Sequence, residues 1–212
     1  DLLRKKKLIK KQSFKIYIKK NIPQGSGLGG GSANASTLLN YFNYKMKLKL
    51  KKNDMIDLAR YIGSDVPISL ERKNTFLTGN NNEMVRINKR FNLNILIIYP
   101  NIVCSTKNIY KKNKTINAAA PKFYFNKKKR IQLIDYLKKE RNDLEKTVVK
   151  IYPRIAKIIN YIKSQNGCYL SRITGSGSAC IGIFSSRLNA ISAQKMIRSK
   201  YPKYWCVVSK TI

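Results

Sequence analysis

The stretch Pro23-Gln24-Gly25-Ser26-Gly27-Leu28-Gly29-Gly30-Gly31-Ser32-Ala33-Asn34-Ala35 decides how this chain is to be read. Five of the 11 glycines of the sequence fall within it. Upstream, Phe14, Ile16 and Ile18 alternate with Lys15, Tyr17 and Lys19. That period of two predicts a half-buried strand ending at Pro23. Downstream, Ala35, Leu38, Leu39 and Phe42 recur at the spacing of one apolar helix face. The local unit is therefore strand, glycine loop, helix.

Such a loop has a chemical use. Glycine adopts positive φ at little cost, so successive backbone N–H groups can turn toward one point and form an anion nest. The N-terminus of the following helix adds unpaired N–H groups and the positive end of its dipole. Ser32 and Asn34 place short polar side chains at the same end. A polyphosphate is the physical target. The P-loop pattern G-x-x-x-x-G-K-[ST] is not met, because the next lysine is Lys45. Gly25, Gly27 and Gly30 do fit G-x-G-x-x-G, but the acidic residue a dinucleotide site wants about 20 positions on is replaced by Lys49, Lys51 and Lys52. A purely structural glycine turn is the remaining alternative.

Working outward, residues 2–12 are basic and predict a helix. Asn53 is placed as N-cap of a helix carrying Met55, Ile56, Leu58, Ala59 and Ile62, closed by Gly63. Residues 74–82 are polar and turn-rich. Leu93 to Tyr99 is an apolar run ended by Pro100, and predicts a buried strand. Helices are expected over 131–137, from Asn142, from Pro153 as first helical residue, and over 190–199. Strands are expected at 170–173, 179–184 and 204–208, with a second glycine turn at Gly175-Ser176-Gly177. The mixture gives an α+β protein in two domains, 1–88 and 89–212.

Composition sets further bounds. The 212 residues contain 44 Lys and Arg against 10 Asp and Glu, and no histidine. Ser-His-Asp and Cys-His chemistry and histidine-bound zinc are excluded within this chain. The net charge of +34 is spread along every segment, which fits solvated lysine faces rather than one nucleic-acid surface. No run approaches the roughly 18 apolar residues of a membrane span. Cys104, Cys168, Cys180 and Cys206 form no C-x-x-C pair, so free thiols in a cytoplasmic protein are expected.

The first motif closely resembles the phosphate loop of the GHMP kinases. Gly63-Ser64-Asp65-Val66-Pro67, Asn142-Asp143-Leu144-Glu145, Thr174-Gly175-Ser176-Gly177-Ser178-Ala179-Cys180, and Pro100 through Ser105-Thr106 and Tyr110 are similar to further stretches of that family. In order and spacing they resemble the branch that phosphorylates the 2-hydroxyl of 4-diphosphocytidyl-2-C-methyl-D-erythritol in isoprenoid biosynthesis.

That resemblance implies a two-domain fold, with an incomplete ribosomal S5 domain 2-like N-terminal domain and a ferredoxin-like α/β sandwich. It implies ATP bound by Pro23 through Asn34, Mg²⁺ beside Ser32, and Asp65 as catalytic aspartate. By its sequence context alone, Asp65 reads as a turn or capping residue. A nucleotide-linked small molecule would be the partner, with no membrane, no specific nucleic acid, and a monomer or homodimer. Ser64 departs from the family's alanine. The family's lysine motif lies before the phosphate loop, and Lys5, Lys6, Lys7, Lys10 and Lys11 do not match it. The chain is thus expected to be a fragment, active only when extended upstream. Two other outcomes stay open: another GHMP kinase acting on homoserine or mevalonate, and a basic RNA-binding protein.

Overall fold

The computed structural model describes residues 1–78, 83–113 and 129–212. Their contacts divide the chain into two units: residues 1–22 with 29–72, and residues 23–28 with 73–212. The glycine loop is thereby split, its first six residues belonging to the second unit.

In the first unit, α1 (Leu2–Lys5) is followed by α2 (Gly30–Lys45), α3 (Lys52–Ile62) and α4 (Val66–Ser69). Leu39 and Phe42 of α2 bury against Met55, Leu58 and Ala59 of α3, with Leu3 and Val66 completing the core. The predicted apolar face of α2 is the one that packs. The Asp54 carboxylate accepts the Lys51 N–H at 2.9 Å, so α3 starts two residues before the expected Asn53 cap. An acidic side chain in the third helical position satisfies an open N–H better than an asparagine already inside the helix.

Two expectations fail here. The basic helix over 2–12 ends at Lys5, because Lys7 turns to a φ of 56°. The strand at 14–19 is not formed, and no described strand pairs with it. Phe14, Ile16 and Ile18 are 40, 51 and 57% exposed. Alternation marks an apolar face, but a strand exists only where another strand takes up its backbone groups. Phe14 instead meets the edge of the Phe42 ring, with centroids 4.8 Å apart.

The second unit opens with the antiparallel hairpin β1 (Asn74–Thr78) and β2 (Glu83–Ile87). Only turn-rich sequence was expected over 74–82, and residues 79–82 lie outside the described residues. Next come β3 (Asn94–Tyr99), α5 (Thr106–Lys112), α6 (Arg130–Lys139), α7 (Glu145–Ile151), α8 (Pro153–Lys163), β4 (Cys168–Ile173), β5 (Cys180–Phe184), α9 (Arg187–Lys200) and β6 (Trp205–Lys210). The strands form one antiparallel sheet in the order β4-β5-β3-β6. Helices α5 to α8 separate β3 from β4 and α9 separates β5 from β6, which is an elaborated β-α-β-β-α-β ferredoxin-like arrangement.

Strand alternation supplies both faces of this sheet. Leu96, Ile98, Ile173 and Phe184 join Ile155, Ile158 and Ile162 of α8 and Ile197 of α9 in the main core. Leu170 and Ile183 point the other way, onto Leu133 and Ile134 of α6. Each fully buried isoleucine contributes about 1.5–3 kcal/mol relative to an exposed one. Among the described residues, no helix is long and apolar enough to cross a membrane.

Candidate active site

The site is assembled around the glycine loop. Its first half is held by the second unit. Ser26 is buried, its hydroxyl donating to the Pro23 carbonyl at 2.7 Å. Its own carbonyl accepts the Ala179 N–H at 3.0 Å. Gly27 has a φ of 78°, and a Cβ built there would lie 2.6 Å from the Gly177 oxygen and 2.9 Å from the Thr174 oxygen. No side chain fits, so the loop backbone lies directly on the second glycine turn. Gly25 sits over Val103, which a Cβ would approach at 3.3 Å.

The second half heads α2 in the first unit. Gly29 is the N-cap, with a φ of 67°, and its carbonyl accepts the Ala33 N–H at 2.9 Å. No side chain caps this helix end. A Cβ added at Gly29, Gly30 or Gly31 would meet nothing within 4 Å among the described residues. This helix of 16 residues thus starts without a side-chain cap, and the glycines at its start are not crowded. That is the geometry a phosphate group uses. Ser32 and Asn34 are half-buried in this first turn.

Asp65 is exposed and stands as N-cap of α4, with a φ of −91°. Its carboxylate accepts the Ser64 hydroxyl at 3.4 Å, and no side-chain bond to the helix amides is formed. The capping role read from its context is thus not performed by the side chain, which is left available to solvent. Helix α4 packs on α2, where Asn40 donates to the Leu70 carbonyl at 3.1 Å.

The remaining motifs meet at the second glycine turn. The Thr174 N–H donates to the Ala179 carbonyl at 2.9 Å, and the Gly177 N–H to the Thr174 carbonyl at 3.0 Å. Ser176 and Thr106 share a hydrogen bond of 2.9 Å, and Ser178 donates to the Ile102 carbonyl. Asn142 and Glu145 reach the same turn from below. The resemblance already set the turn from Thr174 to Cys180 beside the first glycine loop; sequence reasoning missed Val103, and it did not give the backbone bond from Ala179 to Ser26. Backbone contacts of that kind leave no side-chain signature.

All four cysteines are free thiols. Burial pushes Cys206 up to about 11 and raises Cys104, while Cys180 is raised further still. None offers a thiolate near neutral pH. Among the described residues no cluster of three or more carboxylates or thiols could hold a metal ion.

An uncapped helix N-terminus led by glycines in the first unit, and a ferredoxin-like antiparallel sheet carrying a second glycine turn in the second, are the parts of a GHMP-type kinase. The sequence comparisons agree. The family model described as GHMP kinases N terminal domain matches residues 1–72, and GHMP kinases C terminal matches residues 126–203. The 4-diphosphocytidyl-2-C-methyl-D-erythritol kinase of Pelagibacter ubique (strain HTCC1062) is 36% identical over 211 residues, which is 100% of this chain and 74% of that protein. The enzyme of the same name from Wolbachia pipientis wMel is 34% identical, over 90% of this chain and 65% of its own length. A crystal structure of 4-(cytidine 5'-diphospho)-2C-methyl-D-erythritol kinase shares the fold, with a TM-score of 0.72 at 21% identity, over 92% of this chain and 69% of that one. The chain belongs to the 4-diphosphocytidyl-2-C-methyl-D-erythritol kinase family. It spans about two thirds to three quarters of the length of these relatives.

Proposed function

We propose that the protein transfers the γ-phosphoryl group of ATP to the 2-hydroxyl of 4-diphosphocytidyl-2-C-methyl-D-erythritol. The observation that carries this is the N-terminus of α2, which has no side-chain cap and at whose glycines Gly29 to Gly31 an added Cβ would meet nothing within 4 Å among the described residues. Pro23 to Asn34 would wrap the phosphates. Backbone amides fixed beforehand stabilise charge on the departing phosphate without reorganising during the reaction.

Asp65 is proposed as the residue that orients the acceptor hydroxyl and takes its proton as the oxygen attacks phosphorus and ADP departs. Its carboxylate is exposed and, among the described residues, accepts a hydrogen bond from Ser64, which leaves it open to a substrate hydroxyl. Ser32 fits a magnesium ion carried by the nucleotide, since Mg²⁺ in such sites keeps several waters and phosphate oxygens and needs few protein ligands. Bound there, the ion would neutralise phosphate charge.

The test is phosphoryl transfer to the purified diphosphocytidyl substrate, using this chain and a version extended upstream. Transfer by the extended protein supports the assignment; phosphorylation of homoserine or mevalonate alone overturns it. Asp65→Asn should lower kcat by about 10²-fold or more while ATP still binds. An unchanged rate removes Asp65 from its role.

A further inference from the structure

We propose that Asn142 and Glu145 are positioning residues for the phosphate loop, acting through the glycine turn on which Ser26 and Gly27 rest. The inference depends on that loop being the nucleotide-phosphate site. It concerns a motif that the proposed chemistry leaves without a task.

The Asn142 carboxamide is fixed at both ends. Its oxygen accepts the Leu144 N–H at 3.0 Å, so its nitrogen faces the turn. That nitrogen donates to the Gly175 carbonyl at 2.8 Å and lies 3.4 Å from the Ile173 carbonyl. Glu145, at the start of α7, accepts the Ile173 N–H at 2.8 Å. Ile173 is the last residue of β4, so both side chains hold the chain where it leaves the sheet for the turn. One helical turn further on, buried Val148 lies under Gly177, and a Cβ there would come within 3.3 Å of it.

The turn passes this restraint on by backbone contacts alone. Ala179 donates to Ser26, and the Gly177 and Thr174 oxygens press on Gly27. All these residues belong to the second unit. Asn142 and Glu145 touch no part of the loop, so their effect is indirect. It is also chemically specific. Position 142 must donate toward two carbonyls, which an aspartate cannot do. Position 145 need only accept, which a glutamine still does.

The test combines hydrogen exchange of the ligand-free full chain with ATP affinity by calorimetry, on Asn142→Asp, Glu145→Ala and Glu145→Gln. Exchange of the amides of residues 24–28 and of Thr174, Gly177 and Ala179 should rise about tenfold in the first two variants and stay within about twofold in Glu145→Gln. ATP affinity should fall about tenfold in the same two variants and be retained in the glutamine variant. Unchanged exchange in the loop overturns the proposal, whatever happens to Tm. So does a rise shared equally by β3 and β6, since that is general destabilisation. If exchange rises selectively but the parent protein binds no ATP, the coupling stands and the phosphate-site assignment fails.

Discussion

Ala179 donates its backbone N–H to the carbonyl of Ser26 at 3.0 Å. This bond ties the start of the first glycine loop to the end of the second. It explains why two glycine-rich segments far apart in sequence belong to one device: each removes the side chains that would keep the other away.

Gly27→Ala should therefore be costly, and Gly29→Ala much less so. Both need positive φ, which costs an alanine about 1–2 kcal/mol. At Gly27 the new methyl also meets two carbonyl oxygens, at 2.6 and 2.9 Å, whereas at Gly29 it meets nothing among the described residues. Chemical denaturation should show a clearly larger loss of stability for Gly27→Ala. Equal losses would mean that the two loops do not press together in solution.

Gly30→Ala should raise thermal stability and weaken ATP binding. Position 30 is helical, has no reported positive φ, and has free space around its missing Cβ. Replacing glycine with alanine in a compatible helix stabilises by about 0.4–1 kcal/mol. The same methyl would occupy space needed by phosphate. A rise in Tm with unchanged ATP affinity would show that the nucleotide does not use this opening.

Gly182→Ala should destabilise the second unit by about 1–3 kcal/mol through overpacking. Its Cβ would overlap the Ile162 side chain and lie 2.8 Å from the Phe184 ring. Both belong to the main core beneath α8. Pairing it with Ile162→Val should recover part of the loss, as read from urea midpoints.

Stability should also fall at alkaline pH because of Cys206, 5% exposed. Burial raises its thiol from 9.0 to about 11, despite a lowering influence of Arg198. The folded protein then holds this proton more tightly than the unfolded chain. The thiol has no effect below about pH 9; between pH 9 and 11 the unfolded state alone ionises, and about 2 kcal/mol is lost. Urea titrations at pH 8 and 10.5 should show a steeper decline for the parent protein than for Cys206→Ala. Parallel declines would remove the thiol as the cause.

What was legible in the sequence follows from where the determining forces lie. Strand β3 and helix α8 could be read because Leu96, Ile98, Ile155, Ile158 and Ile162 are selected by burial itself. The α2 face was legible for the same reason. Phe14, Ile16 and Ile18 misled because alternation cannot say whether a partner strand exists. The β1–β2 hairpin was missed because Asn74 and Thr75 read as turn residues, while their pairing with Ile87 and Arg86 depends on a segment further along. The glycine loop was visible as a pattern of residue type, and the motif around Asn142 through its resemblance to the GHMP kinases. That Asn142 reaches Gly175, and Ala179 reaches Ser26, is a matter of long-range packing that spacing alone does not encode.

The split membership of the glycine loop bears on how the protein is made. Ser26 leaves the ribosome long before Ala179, and until then its carbonyl lacks the N–H it accepts at the end of the second glycine turn. At roughly 5–20 residues per second, the interval is on the order of ten seconds. For that time Pro23 to Leu28 lacks the turn on which it rests. The glycine loop is translated well before the turn on which it rests, so a nascent chain halted short of Ala179 would carry the whole glycine motif without the backbone bond that holds it in place.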